Sequence, residues 1–259
     1  MKNKKRIILA LSSLPAQGNV GLNVMKSILG TSLHCIPTTL LSGVASSEKV
    51  AIQTIDIKPI LDKFLQNAFH ENKKVVLVTG FFSTVSQVIA VRELIIKYRK
   101  TIDKVIIDPV CGDHGKAYVP KEIINALPDL LINADIIFPN TTEIEFLTGT
   151  SLAKATESFQ STYTASLAIT GCEEGENIGV KLMHNDLYVF HSAQKTKGKF
   201  FGTGDALVGF FVYFHILKGQ TINNAIQLSV KVLHSKIQEA ALVGKQQISI
   251  STKWENYST

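Results

Sequence analysis

The chain has 259 residues, 45% hydrophobic and 19% charged, enough apolar material for one sizeable α/β core, and a single domain over 1–259 is expected. Its formal charge of +6 is spread along the sequence apart from Lys2 to Arg6, without a basic helix carrying interleaved aromatics. This excludes a nucleic-acid-binding reading and leaves a mild positive field suited to an anionic small molecule. No stretch approaches the roughly 20 apolar residues that span a bilayer, the run Ile7 to Leu11 is too short for a signal core, and Cys35, Cys111 and Cys172 share no metal-ligand spacing; a reduced, cytoplasmic chain is expected.

Short β-branched runs alternate with segments of helical period. Arg6 to Leu11 reads as a buried strand, followed by a loop with Pro15, Gly18 and Gly21 and a helix over Leu22 to Leu29. His34 to Leu40 is a second strand. Pro59 to His70 places Ile60, Leu61, Phe64, Leu65, Ala68 and Phe69 on one helical face, and Lys74 to Thr79 is an apolar strand. The rhythm repeats with a helix over Thr84 to Tyr98, a strand at Lys104 to Ile107, a helix opened by Pro120 and a strand at Asp135 to Phe138. Ser166 to Thr170 is a further strand. Ile178 to Met183 and Leu187 to His191 pair as a hairpin, and helices over Asp205 to Leu217 and Thr221 to Leu242 stop at Gly219 and Gly244. The pattern predicts an α/β fold with a mostly parallel central sheet.

Residues able to do chemistry gather where these strands end, the edge at which open parallel sheets bind ligands. Ser12 and Ser13 precede the glycine loop, Gly80-Phe81-Phe82-Ser83 follows Thr79, and Asp108-Pro109-Val110-Cys111-Gly112-Asp113-His114-Gly115 follows Ile107. Pro139-Asn140-Thr141-Thr142-Glu143 and Thr170-Gly171 follow in turn. The segment Gly202-Thr203-Gly204-Asp205 opens a helix. Its unpaired N–H groups and the positive helix end favour phosphate, while Asp205 would repel it unless it accepts a proton from an attacking hydroxyl; a simply capped helix is the competing reading. Asp108, Asp113 and Glu143 are hard oxygen donors suited to Mg²⁺, with Gly112 and Gly115 allowing the two aspartates to face one cleft. Asn140 with Glu143 also fits a capping box. His34, His184, His191, His215 and His234 share no ligand spacing and read as surface or core residues.

The runs DPVCGDHGKAYVP, ADIIFPNTTEIEFLTG and FGTGDALVGFF, in this order, resemble the pyridoxal kinases of the ribokinase-like superfamily over nearly the whole chain. The asparagine-glutamate and GTGD elements are shared with the related hydroxymethylpyrimidine kinases. The resemblance implies a three-layer α/β/α fold and ATP-dependent phosphorylation of the 5′-hydroxymethyl group of pyridoxal, pyridoxine or pyridoxamine. It implies Asp205 as base, Gly202, Thr203 and Gly204 as anion hole, and Asp108, Asp113, Asn140, Glu143 and Thr170 around Mg²⁺ and the ATP phosphates. Ser13 and Phe81 match vitamer-contacting positions, Phe81 standing where the family often has tyrosine. A homodimer is a family habit that comes with it, and the use of a monovalent cation stays open at the level of sequence.

Several positions depart from the family pattern. Ser13-Leu14 stands where many pyridoxal kinases have Ser-His, and Gly43-Val44-Ala45 replaces an Asn-His-Thr stretch, leaving Ser46 or Ser47 to supply a hydroxyl. These changes bear on the substrate rather than on phosphoryl transfer. A kinase of hydroxymethylpyrimidine or another small alcohol, and a vitamer-binding relative with little turnover, are the alternatives. A flap over Gln194 to Lys199 with Gly198 as its flexible point is expected.

Overall fold

The computed structural model describes residues 6–44 and 50–250; Lys2 to Lys5, Ser46, Ser47 and Trp254 lie outside the described residues. Strand β1 spans Arg6–Pro15, β2 Leu33–Leu41, β3 Ile52–Thr54, β4 Lys74–Thr79 and β5 Ile102–Ile107. A two-residue ribbon, β6 Gly112–Asp113 with β7 Lys116–Ala117, precedes β8 Ile136–Ile137, β9 Ser166–Glu174, β10 Asn177–His184 and β11 Leu187–Gln194. The helices are α1 Leu22–Leu29, α2 Lys58–His70, α3 Val85–Lys97, α4 Lys121–Leu131, α5 Thr141–Thr148, α6 Leu152–Thr162, α7 Thr203–Val212 and α8 Ile222–Leu242.

One nine-stranded sheet has the order β11-β10-β9-β8-β5-β4-β1-β2-β3. The pairings from β9 through to β2 are parallel, and antiparallel strands close both edges. Alternating side chains point to opposite faces, and both faces are covered, which is why β1 and β4 carry the apolar runs Ile7 to Leu11 and Val75 to Val78. Ile8, Ala10, Val76, Val78, Ile136, Phe138 and Ala168 face α1, α7 and α8. Leu9, Leu11, Val75, Leu77, Val105, Ile107 and Ile137 face α2 to α6. Each such fully buried Val, Leu, Ile or Phe side chain contributes roughly 1.5–3 kcal/mol from removal of its surface from water. The result is the expected α/β/α sandwich.

The expected elements recur with small shifts. The spacing helix over Leu22–Leu29 is reproduced, whereas α7 ends as regular helix at Val212 and continues as a π-helical turn over Tyr213–Leu217. Helix α6 and edge strand β3 were not expected: α6 buries only Ala155 and Phe159, and all residues of β3 are exposed, so neither carries a strong apolar period. Helix α4 tolerates Pro128 in its interior.

Candidate functional site

Backbone bonds beyond the strand ends carry the ladder into the loops. Gly80 N donates to Leu11 O at 2.8 Å, Asp108 N to Thr79 O at 2.9 Å, Phe138 N to Ile107 O and Thr170 N to Pro139 O, both at 2.8 Å. The expected residues at these positions therefore emerge together along the carboxyl edge of the sheet.

Helix α7 begins where the GTGD turn predicts. Gly202 is left-handed, with φ 77°, and a Cβ there would collide with the carbonyl oxygen of Asn19. No side chain caps this helix, so the capped-helix reading fails at Thr203 and Asp205 and the first-turn N–H groups remain available to an anion. A Cβ built on Gly204 would be 3.9 Å from Asp108 Oδ2, which places the second aspartate directly across from the turn.

Asp205 is half-buried, and its Oδ2 accepts a 2.8 Å bond from Gly21 N. Burial pushes its pKa up to about 6, with the Gly21 N–H pulling the other way. Such a carboxyl is ionised at neutral pH yet basic enough to take a proton. Asp108 is 8% exposed, and no hydrogen bond to its carboxylate occurs among the described residues. Burial, and then the charges of Glu143 and Asp205, hold its pKa well above the usual range, so Asp108 feels both of the other acids.

Glu143 and Asn140 tie the Asp108–Gly115 turn to α5. Asn140 Oδ1 accepts from Thr142 N and Glu143 N, both at 2.9 Å, and its Nδ2 donates to Gly112 O at 2.8 Å. Glu143 Oε2 accepts from Asn140 N at 2.8 Å and Oε1 from Cys111 N at 3.0 Å. The capping box is thus complete, and the same carboxylate also organises the preceding turn. Burial pushes Glu143 up to about 8 against these backbone bonds. Gly112 is required here because a Cβ would lie 2.6 Å from Lys116 O and 2.7 Å from the Phe146 ring.

Asp113 stands apart from the buried acids. Its side chain is 44% exposed, accepts from His114 N at 2.9 Å, and lies 3.5 Å from His114 Nε2. The turn therefore directs Asp108 inward and Asp113 to the rim, and does not bring both into one buried cleft. Among the described residues no group of three or more His, Cys, Asp or Glu is arranged to hold a metal ion. One buried carboxylate free of donors, inside a field of two others, fits a divalent cation completed by water and substrate phosphates. Asp108 meets that description better than Glu143, both of whose oxygens already accept backbone bonds.

On the opposite side, Ser13 is buried and its carbonyl and hydroxyl leave no room for a side chain at Gly21. Phe81 is half-buried, with its N–H donating to Ser12 Oγ at 3.3 Å. Thr170 forms a parallel bridge with Asn140. Residues 43 and 44 follow β2, and a Cβ at Gly18 would collide with Val44 Cγ2. His184 and His215 lie beside a cavity of about 110 Å³ lined by Lys104, Asp135 and Ser166 at the amino ends of the strands, away from this site.

Sequence reasoning missed two contributors. Gly21 is a donor to the proposed base and not only a loop glycine. Gln247 Oε1 accepts from Asn19 N at 2.8 Å and Asn19 Nδ2 donates to Ile248 O at 3.0 Å, seating the glycine loop against the start of α7. The positive φ of 55° at Gly21 has a signal in its residue type, whereas a contact across 228 positions has none.

A family model described as phosphomethylpyrimidine kinase matches residues 30–251. The chain belongs to this family. A Schizosaccharomyces pombe relative, provisionally named a pyridoxal kinase, is 26% identical, with 92% of this chain and 87% of its own length covered. Among solved structures, pyridoxal kinase from Entamoeba histolytica has a TM-score of 0.86 at 24% identity, covering 98% of this chain and 96% of that one. Pyridoxal kinase from Leishmania donovani, in complex with ADP and pyridoxamine, has a TM-score of 0.85 at 19% identity, covering 98% and 96%. The fold is the ribokinase-like one, and the resemblance to pyridoxal kinases holds across the chain.

Proposed function

We propose that this family member is an ATP-dependent kinase that phosphorylates the 5′-hydroxymethyl group of a B6 vitamer. The observation that carries this is the pairing of an uncapped α7 N-terminus with a half-buried carboxyl, its pKa raised to about 6, three residues into the turn, at Gly202 to Asp205. Asp205 takes the proton of the vitamer hydroxyl as its oxygen attacks the terminal phosphorus of ATP; the bond from that phosphorus to the bridging oxygen breaks, and ADP leaves. The N–H groups of Gly202, Thr203 and Gly204 stabilise the charge on the transferring phosphoryl group. Gly21 holds Asp205 in place through its 2.8 Å bond.

Mg²⁺, held by Asp108 with water and the nucleotide phosphates, would neutralise phosphate charge. Glu143 and Asn140 fix the turn bearing Asp108, Asp113 contributes from the rim, and Thr170 lies beside Asn140 on the nucleotide side. Ser13 and Phe81 border the vitamer. The Leishmania relative's complex with ADP and pyridoxamine supports this division into nucleotide and vitamer sites. No described helix is long and apolar enough to cross a membrane, and we place the chain in the cytoplasm, as a homodimer in the manner of its family. The family description names a phosphomethylpyrimidine kinase, and hydroxymethylpyrimidine or its phosphate is the competing acceptor.

The test is a competition between pyridoxal, pyridoxine, pyridoxamine and hydroxymethylpyrimidine as phosphate acceptors, with purified protein, ATP and Mg²⁺. Preferred turnover of a B6 vitamer supports the proposal; preference for the pyrimidine replaces it with the sister activity. Binding of pyridoxal without ATP consumption would leave a vitamer-binding protein.

A further inference from the structure

The loop carrying Phe81 is held by one buried amide. Gln87, at the third position of α3, is 3% exposed, and its side chain uses its full hydrogen-bonding capacity. Its Oε1 accepts from Ser83 N at 2.9 Å and from Ser83 Oγ at 3.4 Å. Its Nε2 donates to Thr38 O at 2.7 Å and to Ile55 O at 2.8 Å. One amide thus joins β2, the segment after β3, and the loop between β4 and α3.

The same three segments are cross-linked around it. Thr38, whose carbonyl Gln87 holds, donates its own hydroxyl to Phe81 O at 2.6 Å. Thr39 Oγ1 donates to Ser83 Oγ at 2.9 Å, and Thr54 Oγ1 lies 3.0 Å from that hydroxyl. With Phe81 N on Ser12 Oγ, both backbone groups of Phe81 are fixed, from β1 on one side and β2 on the other. An apolar side chain at position 87 would fill the space and leave Ser83 N–H and Ile55 O without these partners, while Thr38 O keeps only its 3.0 Å bond from Ile55 N. Those groups would recover partners only by moving the loop.

We propose that Gln87 is a positioning residue for the acceptor substrate: by fixing Ser83 and Thr38 it sets where the Phe81 ring stands against the flat heterocycle. This rests on the reading of Phe81 as a wall of the vitamer pocket. Among the described residues the nucleotide side, built on Asn140, Glu143, Thr170 and α7, shares no hydrogen bond with this network. An effect confined to the acceptor is therefore the expected signature.

The experiment compares Gln87→Met, Gln87→Glu, Thr38→Val, Phe81→Ala and the Gln87→Met/Phe81→Ala double variant in full-length protein, with pyridoxal and ATP each varied. Gln87→Met is expected to raise KM for pyridoxal by roughly 5- to 20-fold while KM for ATP stays within about twofold and kcat falls far less than KM rises. Thr38→Val, which removes only the hydroxyl on Phe81 O, should move the same constant in the same direction. In the double variant, the Gln87 effect should largely vanish, because the ring it positions is gone. Equal losses for pyridoxal and ATP, or full additivity in the double variant, would overturn the proposal. If Gln87→Met does not fold, Gln87→Glu, which keeps the acceptor for Ser83 and loses both donations, is judged by the same split. Absence of pyridoxal turnover in the unaltered protein would instead defeat the functional reading, a distinct result.

Discussion

Replacing Asp205 by Asn should make the protein more stable while removing its chemistry. Burial raises the Asp205 pKa from its ordinary 3.8 to about 6, so the folded chain holds this proton more tightly than the unfolded one. The ionised carboxylate is therefore a cost to folding that is fully present above pH 6, fades as pH falls towards 3.8, and is absent below it. The rise from 3.8 to about 6 corresponds to about 3 kcal/mol at most. Asn retains an oxygen to accept from Gly21 N and relieves the repulsion with Asp108, so a gain of about 1–3 kcal/mol is expected near pH 7.5, or roughly 3–8 °C in Tm. By the same relation the gain should shrink to about a third at pH 4.5. Thermal melts of both proteins at these two pH values, without nucleotide or Mg²⁺, measure it; loss of a positioned base should cut kcat by ~10²–10⁴ in parallel. Equal stability at pH 7.5, a gain independent of pH, or undiminished turnover would refute the reasoning.

The pH profile of kcat/KM for pyridoxal should rise through an apparent pKa of about 6 as Asp205 ionises, and steady-state rates between pH 5 and 8 would show whether that limb exists. Gly202→Ala must place a side chain at φ 77° against Asn19 O and should lose roughly 1–3 kcal/mol together with activity. Gly204→Ala meets nothing nearer than Asp108 Oδ2 at 3.9 Å, so denaturant melts should find its fold intact while kcat falls from crowding of the phosphate. Glu143→Ala strips acceptors from Cys111 N and Asn140 N and should cost about 2–4 kcal/mol in urea unfolding. Asp108→Asn should raise the Mg²⁺ concentration for half-maximal rate by about tenfold or more, read from Mg²⁺ titration of initial rates.

The sheet and its helices were legible because the buried stretches Ile8 to Leu11, Val75 to Val78 and Val105 to Ile107 appear as apolar runs, while α2 buries Leu61, Leu65 and Ala68 of its expected face with Phe64 packed beside them and leaves Ile60 and Phe69 exposed. Segments that bury little, such as β3 and α6, left no such trace. The candidate site was legible at Asn140, Glu143 and Gly202 to Asp205, where residue type, cap position and glycine conformation are local properties of a helix start. Spacing alone did not tell Asp108 from Asp113. Both follow one strand within a glycine turn, and only the docking of that turn onto α5 through Asn140 and Glu143 sends one carboxyl inward and the other to solvent. The acidity of Asp205, its bond from Gly21, and the Gln247 and Gln87 contacts likewise depend on segments far apart in the chain. Sequence order determines which groups the strand ends offer. The tertiary packing determines which of them lose water and face one another, and with that which carboxyl is poised to take a proton.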